Sequence, residues 1–157
     1  MALPVLPADG RQSAAALAIQ RGASRLLRQY GMTPVPEVTL PNGRRADLTA
    51  LGRKGDIWMV EIKSSTIDFQ VDRKWPDYLH YCDRLLFAVG PDFPLELLPP
   101  EAGVIVADFY GGTMLREAPE QRLGASARKT MTLLLARIAA GRLHEAMDPE
   151  GAFGFAE

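Results

Sequence analysis

The stretch Arg44–Ser64 constrains the fold most. Two strand-like runs, Arg44–Leu51 and Ile57–Ser64, flank Gly52-Arg53-Lys54-Gly55, a spacing that reads as two antiparallel strands joined by a tight turn. Side chains alternate across a strand, so Trp58, Val60 and Ile62 share one face and Ile57, Met59, Glu61 and Lys63 the other. In the first run Ala46, Leu48 and Ala50 share a face opposite Arg45, Asp47 and Thr49. Each strand is therefore expected to offer one apolar face for a helix to cover. With the turn centred on Lys54, Asp47 lies directly across from Glu61, where opposed Cβ atoms sit about 5 Å apart. Lys63, two residues on, projects to the same side.

The rest of the chain supplies partners for this hairpin. Leu17, Leu26, Leu27 and Tyr30 recur near helical spacing and predict a helix over Ser13–Tyr30, with Ser13 as N-cap and Gly31 as its stop. Gly22 weakens that helix. Pro34 and Pro36 break the chain before a short strand, Glu37–Leu40, and Pro41-Asn42-Gly43 is a turn signal. Asp72–Cys82 reads as a helix with Asp72 as N-cap and Pro76 in its first turn. Leu85–Val89 and Val104–Asp108 are apolar strands, Pro91–Pro100 a connection, and Thr113–Arg116 a return strand. Ser126–Arg142 closes the domain as a helix with Met131, Leu134, Leu135 and Ile138 on one stripe. The order predicts an α/β domain, a mixed sheet flanked by helices, over residues 13–146. Residues 1–12 are expected to form a loose arm and 147–157 a tail.

Composition narrows the function classes. A chain of 157 residues, 47% hydrophobic, has one-domain length and enough apolar residues for a core. No apolar run approaches the roughly 20 residues that cross a bilayer, and the N-terminus lacks the basic start and apolar stretch of a signal peptide. With a single cysteine, Cys82, and two histidines, a disulfide framework and the usual zinc sites are poorly supplied. The expectation is a cytoplasmic protein with no membrane association. Net charge is -1, so bulk electrostatics do not announce a nucleic-acid binder. Residues 1–45, however, hold Arg11, Arg21, Arg25, Arg28, Arg44 and Arg45 against Asp9 and Glu37. That is either a basic patch or a solvated helix face.

Asp47, Glu61 and Lys63 carry the chemistry. Two carboxylates this close repel unless a cation lies between them, and oxygen ligands of this kind suit Mg²⁺ or Mn²⁺, which keep several waters. Such an ion polarises a phosphate oxygen and lowers the pKa of bound water, and a neighbouring lysine orients that water or offsets charge growing on phosphorus. The bland alternative is an ion cluster that only solubilises a strand face. Charged residues are unusual, however, at the centre of a sheet.

The pattern Asp47-x13-Glu61-Ile62-Lys63 resembles the PD-(D/E)XK nuclease superfamily. More closely, Arg44-Arg-Ala-Asp-Leu48, Val60-Glu-Ile-Lys-Ser-Ser65, Asp72-x-Lys74-Trp-Pro-Asp-Tyr78, Cys82-Asp-Arg84, Phe87-Ala-Val89 and Val104-Ile-Val-Ala-Asp108 resemble its MmcB-like group, small bacterial proteins assigned to DNA repair as endonucleases. The resemblance spans about residues 14–140. It implies a restriction-endonuclease-like core of αβββαβ type, with Asp47 and Glu61 as metal-binding acids and Lys63 as catalytic lysine. It also implies the Ile62 backbone carbonyl as a further ligand and an additional acid from an earlier element, for which Glu37 is the candidate. Ala46 stands where the superfamily name has proline. DNA is the implied partner, with other repair proteins, and nucleases of this type often work as homodimers. The superfamily also includes members that bind without cutting, so a DNA-binding or adaptor module on the same fold is the alternative.

Further residues have two readings each. Lys74 and Trp75, after Ser64, Ser65 and Gln70, contact DNA phosphate or stack on a base; alternatively Trp75 and Tyr78 anchor a helix in the core. Arg44 and Arg45 hold phosphates or line a solvated edge. Cys82 has the features of a small buried hydrophobe. No serine-hydrolase elbow or phosphate loop is present.

Overall fold

The structure, a computed structural model, describes residues 13–71 and 73–151. The expected arm 1–12, the Asp72 cap and tail residues 152–157 lie outside the described residues. Helix α1 (Ala14–Gln29) starts where Ser13 Oγ accepts the Ala16 amide at 3.1 Å and stops before Gly31, whose φ of 76° is a left-handed value that glycine adopts freely. Strands β1 (Thr33–Thr39), β2 (Arg45–Leu51), β3 (Ile57–Lys63), β4 (Arg84–Val89), β5 (Gly103–Ala107) and β6 (Gly112–Arg116) form one sheet in chain order. β1, β2 and β3 pair antiparallel, β3, β4 and β5 parallel, and β5 and β6 antiparallel. A short helix α2 (Thr66–Val71) follows β3, and α3 (Ala125–Met147) closes the domain. This mixed sheet between helices is consistent with a restriction-endonuclease-like core.

Both faces of the sheet are covered. On one, Ile19, Ala23, Leu26 and Leu27 of α1 pack against Leu48, Val60, Leu86 and Ile105. On the other, Met131 and Leu135 of α3 pack with Ile57, Met59, Phe87 and Val104, while Leu134 and Ile138 complete the expected stripe. Every β3 residue except Trp58 is buried. The expectation of one apolar face per strand is corrected here: parallel pairing places β3 at the sheet centre, where both faces need apolar side chains.

Three further expectations change. The strand expected over Glu37–Leu40 begins at Thr33 and runs through Pro34 and Pro36; β1 is an edge strand with β2 as its one neighbour, where a missing amide donor is tolerated. The helix expected over Asp72–Cys82 is replaced by α2 upstream and a 3-10 helix at Trp75–His80. Pro76 lies in that helix's first turn, a position that suits its fixed φ, but the segment is too short to continue as α-helix. Finally, α3 extends to Met147 and a 3-10 turn occupies Pro149–Gly151, so the domain's last helix reaches into the expected tail.

Gly22 is not a weak point but a crossing point. A Cβ there would lie 2.0 Å from the Asp108 carbonyl oxygen and 2.4 Å from that of Gly111, so α1 meets the β5–β6 loop backbone to backbone. Gly22→Ala should gain helix propensity yet lose about 1–3 kcal/mol net through overpacking. A thermal melt would show this as a Tm lower by about 3–10 °C; an unchanged Tm would contradict the close approach.

Candidate metal and DNA site

The β2–β3 ladder runs in the expected register, Leu51 with Ile57 through Leu48 with Val60, and ends there. Beyond it the acids replace ladder bonds. The Asp47 amide donates to Glu61 Oε1 at 3.1 Å, and the Ile62 amide donates to Asp47 Oδ2 at 2.7 Å. The two carboxylates therefore converge in the gap where β2 and β3 part. Alternation breaks at the same place: Ala46 packs in the cluster of Val38 and Ile57, while Leu48 and Ala50 pack in the cluster of α1. Ala46 therefore does not share the face of Leu48 and Ala50 as the sequence pattern predicts. On the other side of Asp47, Glu37 adopts φ 53°, the one non-glycine residue with positive φ among the described residues. Such a backbone has to be held in place by its surroundings. Arg142 of α3 supplies the hold by donating to the Pro36 and Glu37 carbonyls, the latter at 2.7 Å.

Glu61 and Lys63 are buried at the end of β3, and Asp47 is half-buried. Burial pushes the Asp47 carboxyl up to about 6; the Ile62 amide opposes this, nearby Glu37 adds to it, and Lys63 and Arg45 pull it down. A carboxyl raised in the fold stabilises most when protonated. That contribution is full below its ordinary value near 3.8 and is lost as pH rises through about 6. Asp47→Asn, which keeps an acceptor for Ile62, should therefore be more stable than the wild type at pH 7.5 by about 1–2 kcal/mol after allowing for partial exposure. Denaturant melts of metal-free protein should show the advantage disappearing near pH 4; an advantage independent of pH would contradict the assignment.

The donor set fits a particular kind of ion. Two carboxylates, one held above the ordinary range by burial, suit a divalent cation that keeps most of its water shell. Among the described residues no three His, Cys, Asp or Glu side chains group as a metal cage. Glu37 is instead 2.6 Å from Arg45 Nε through its Oε2. Ile62 contributes its amide to Asp47.

The other predicted contacts fall in several places. Arg44 pairs with Asp77 at 2.9 Å, and Arg45 with Glu37. Trp75 is half-buried, its ring edge on Phe87 with centroids 6.1 Å apart, which is the core-anchor reading; buried Tyr78 reaches the Arg45 carbonyl. Gln70 and Lys74 are exposed. Ser64 and Ser65 line a cleft of about 380 Å³ with Gly90, Phe93, Asp108 and Phe109, at the carboxyl ends of the parallel strands β3, β4 and β5, where open α/β sheets bind ligands. Cys82 is buried and its thiol is pushed up to about 12, chiefly by burial, so it is an inert core residue. Sequence reading did not single out Arg142 or the cleft wall at Asp108–Phe109, because each depends on long-range contacts.

The chain is 43% identical to a protein of unknown function from Silicibacter pomeroyi, whose solved structure it matches with a TM-score of 0.87 over 92% of this chain and 99% of that one. No curated protein matches it. Among the described residues no helix is long and apolar enough to cross a membrane. The profile of the MmcB-like family of DNA repair proteins matches residues 4–150, and the chain belongs to that family.

Proposed function

We propose that the protein is a metal-dependent deoxyribonuclease of PD-(D/E)XK type acting in DNA repair. The observation that supports this most is the convergence of Asp47 and Glu61 in the gap between β2 and β3, with Lys63 farther along the same strand face. Asp47 and Glu61 would hold a hydrated Mg²⁺ or Mn²⁺, with the Ile62 carbonyl as the additional ligand. When bound, the ion supplies Lewis acidity toward a phosphate oxygen and a more acidic water. The chain's own part is to fix both carboxylates through the Ile62 and Asp47 amides and to keep Lys63 beside the reacting phosphate. There its ammonium offsets charge developing on the phosphate oxygens. Arg44, Ser64, Ser65, Gln70 and Lys74 would position backbone phosphates, and the protein would work in the cytoplasm with other repair proteins, as a homodimer where both strands are cut.

The test is incubation with supercoiled plasmid, single-stranded and branched DNA. The expected result is nicking with Mg²⁺ or Mn²⁺ that stops with chelator and is absent in folded Glu61→Gln. No cleavage of any substrate with either ion would overturn the reading. A second reading, a DNA-binding module without catalysis, is favoured by the lack of a three-acid cage among the described residues. It predicts metal-free DNA binding that Glu61→Gln leaves unchanged.

A further inference from the structure

We infer that the loop between β5 and β6 is a stacking platform for an unpaired base, which makes single-stranded DNA or a single-stranded flank the preferred substrate class. This rests on the DNA-directed part of the proposed function. Tyr110 is 77% exposed and Phe109 46%. Two adjacent exposed aromatic rings form a contiguous apolar patch of the kind that marks binding sites. Their setting is rigid. Asp108 Oδ1 accepts the Tyr110 and Gly111 amides at 2.8 and 3.1 Å, and the Asp108 amide donates to the Gly111 carbonyl at 2.9 Å. Backbone contact at Gly22 braces the loop from below.

The rings also have basic company. The Arg21 guanidinium lies 3.6 Å from the Phe109 ring centroid, and Arg25 donates to the Tyr110 carbonyl at 3.0 Å. The two rings meet edge to face with centroids 5.4 Å apart, and Tyr110 is the more exposed of the two. Aromatic faces flanked by guanidinium groups bind unpaired bases through stacking and backbone phosphates through charge. In a duplex the base faces are covered by their neighbours, so a ring on a protruding loop reaches only an unpaired one.

The platform and the acids lie at the same end of the sheet. Phe109 and Ser64–Ser65 line the cleft together with Ala15, Ala18 and Ile19 of α1, while Lys63, next to Ser64 in the chain, alternates to the opposite face. The register Lys63–Val89–Val106 places Lys63 two strand spacings, roughly 10 Å, from β5. A strand whose phosphate sits at Lys63 would pass over the carboxyl ends of β3, β4 and β5 to lay a base on Tyr110.

The test is fluorescence-anisotropy binding of a labelled single-stranded DNA and a blunt duplex of the same sequence, in chelator so that no cleavage occurs. Wild type should prefer the single strand. Tyr110→Ala should lose about 5- to 100-fold of single-strand affinity, from the usual range for one base–aromatic stack, while Tyr110→Phe should keep it. A 2-aminopurine in the oligonucleotide should be quenched by wild type and Tyr110→Phe but not by Tyr110→Ala. Single-strand binding by Tyr110→Ala equal to wild type overturns the inference and leaves the nuclease reading standing. Tyr110-dependent binding by a protein that never cuts supports the inference and sinks the nuclease reading. Failure to bind DNA of either form in chelator overturns the inference, and the nuclease reading then stands or falls on cleavage with Mg²⁺ or Mn²⁺.

Discussion

Lys63→Met should lower metal-supported DNA cleavage by about 10²–10³-fold, the usual consequence of removing one charge-stabilising donor from a reaction centre. Methionine keeps an aliphatic stem in a buried position, so circular dichroism and Tm should show a folded protein. The electrostatic response is defined. Lys63 holds the Asp47 carboxyl down, and without it that carboxyl binds its proton more tightly, which relieves the charge the ammonium balanced. Folding therefore survives a change that chemistry does not. Equal cleavage rates for Lys63→Met and wild type would remove Lys63 from the reaction.

Asp83→Ala should cost about 3–5 kcal/mol, because it leaves a charge in a half-buried site without its partner. Asp83 is 3% exposed. Its carboxylate takes a two-point pair from Arg128 at 2.7 and 2.9 Å, the Ile57 amide at 2.7 Å and the Leu123 amide at 2.8 Å. Arg128 also donates to the Gly55 carbonyl at 2.7 Å. The Asp83–Arg128 pair thus ties the start of β3, the β2–β3 turn and the entrance of α3 together. Burial pushes the Asp83 carboxyl up, but the Arg128 hydrogen bonds and the Leu123 and Ile57 amides outweigh it and hold it below its ordinary value. With the folded value depressed, the stabilisation is complete above the unfolded value near 4 and is lost as pH falls through the folded one. Thermal melts should place Asp83→Ala about 10–15 °C below wild type at pH 7, with the gap narrowing in strong acid. A gap under 3 °C would show that the network contributes little.

Local signals were legible in the sequence where they were also sufficient. Ser13 and Gly31 bounded α1, and the turn at Gly52–Gly55 set the Leu51–Ile57 register and so the meeting of Asp47 and Glu61. What the sequence could not show depends on neighbours distant in the chain. Pro34 and Pro36 look like strand breakers until β1 proves to be at an edge. Ala46 fits a simple alternation, yet it packs on the other face with Val38, its partner on β1 next to the Glu37 kink. Trp75 carries no mark that distinguishes a base-stacking ring from one lying against Phe87. Gly22 looks like a flaw in a helix because its reason is the carbonyls at Asp108 and Gly111.

The early end of the β2–β3 ladder has a consequence for motion. β4, buried along almost its whole length and paired on both sides, should hold the slowest-exchanging amides, released only by global opening. The β1–β2 hairpin meets β3 through four ladder pairs, Leu48–Val60 to Leu51–Ile57, and is otherwise docked by buried Val38, Ala46, Leu48 and Ala50 and by the Arg142 bonds to Pro36 and Glu37. Asp47 stands on that hairpin and Glu61 on β3. The Asp47 and Ile62 amides, bonded to carboxylates rather than to the ladder, should therefore exchange sooner than those of β4.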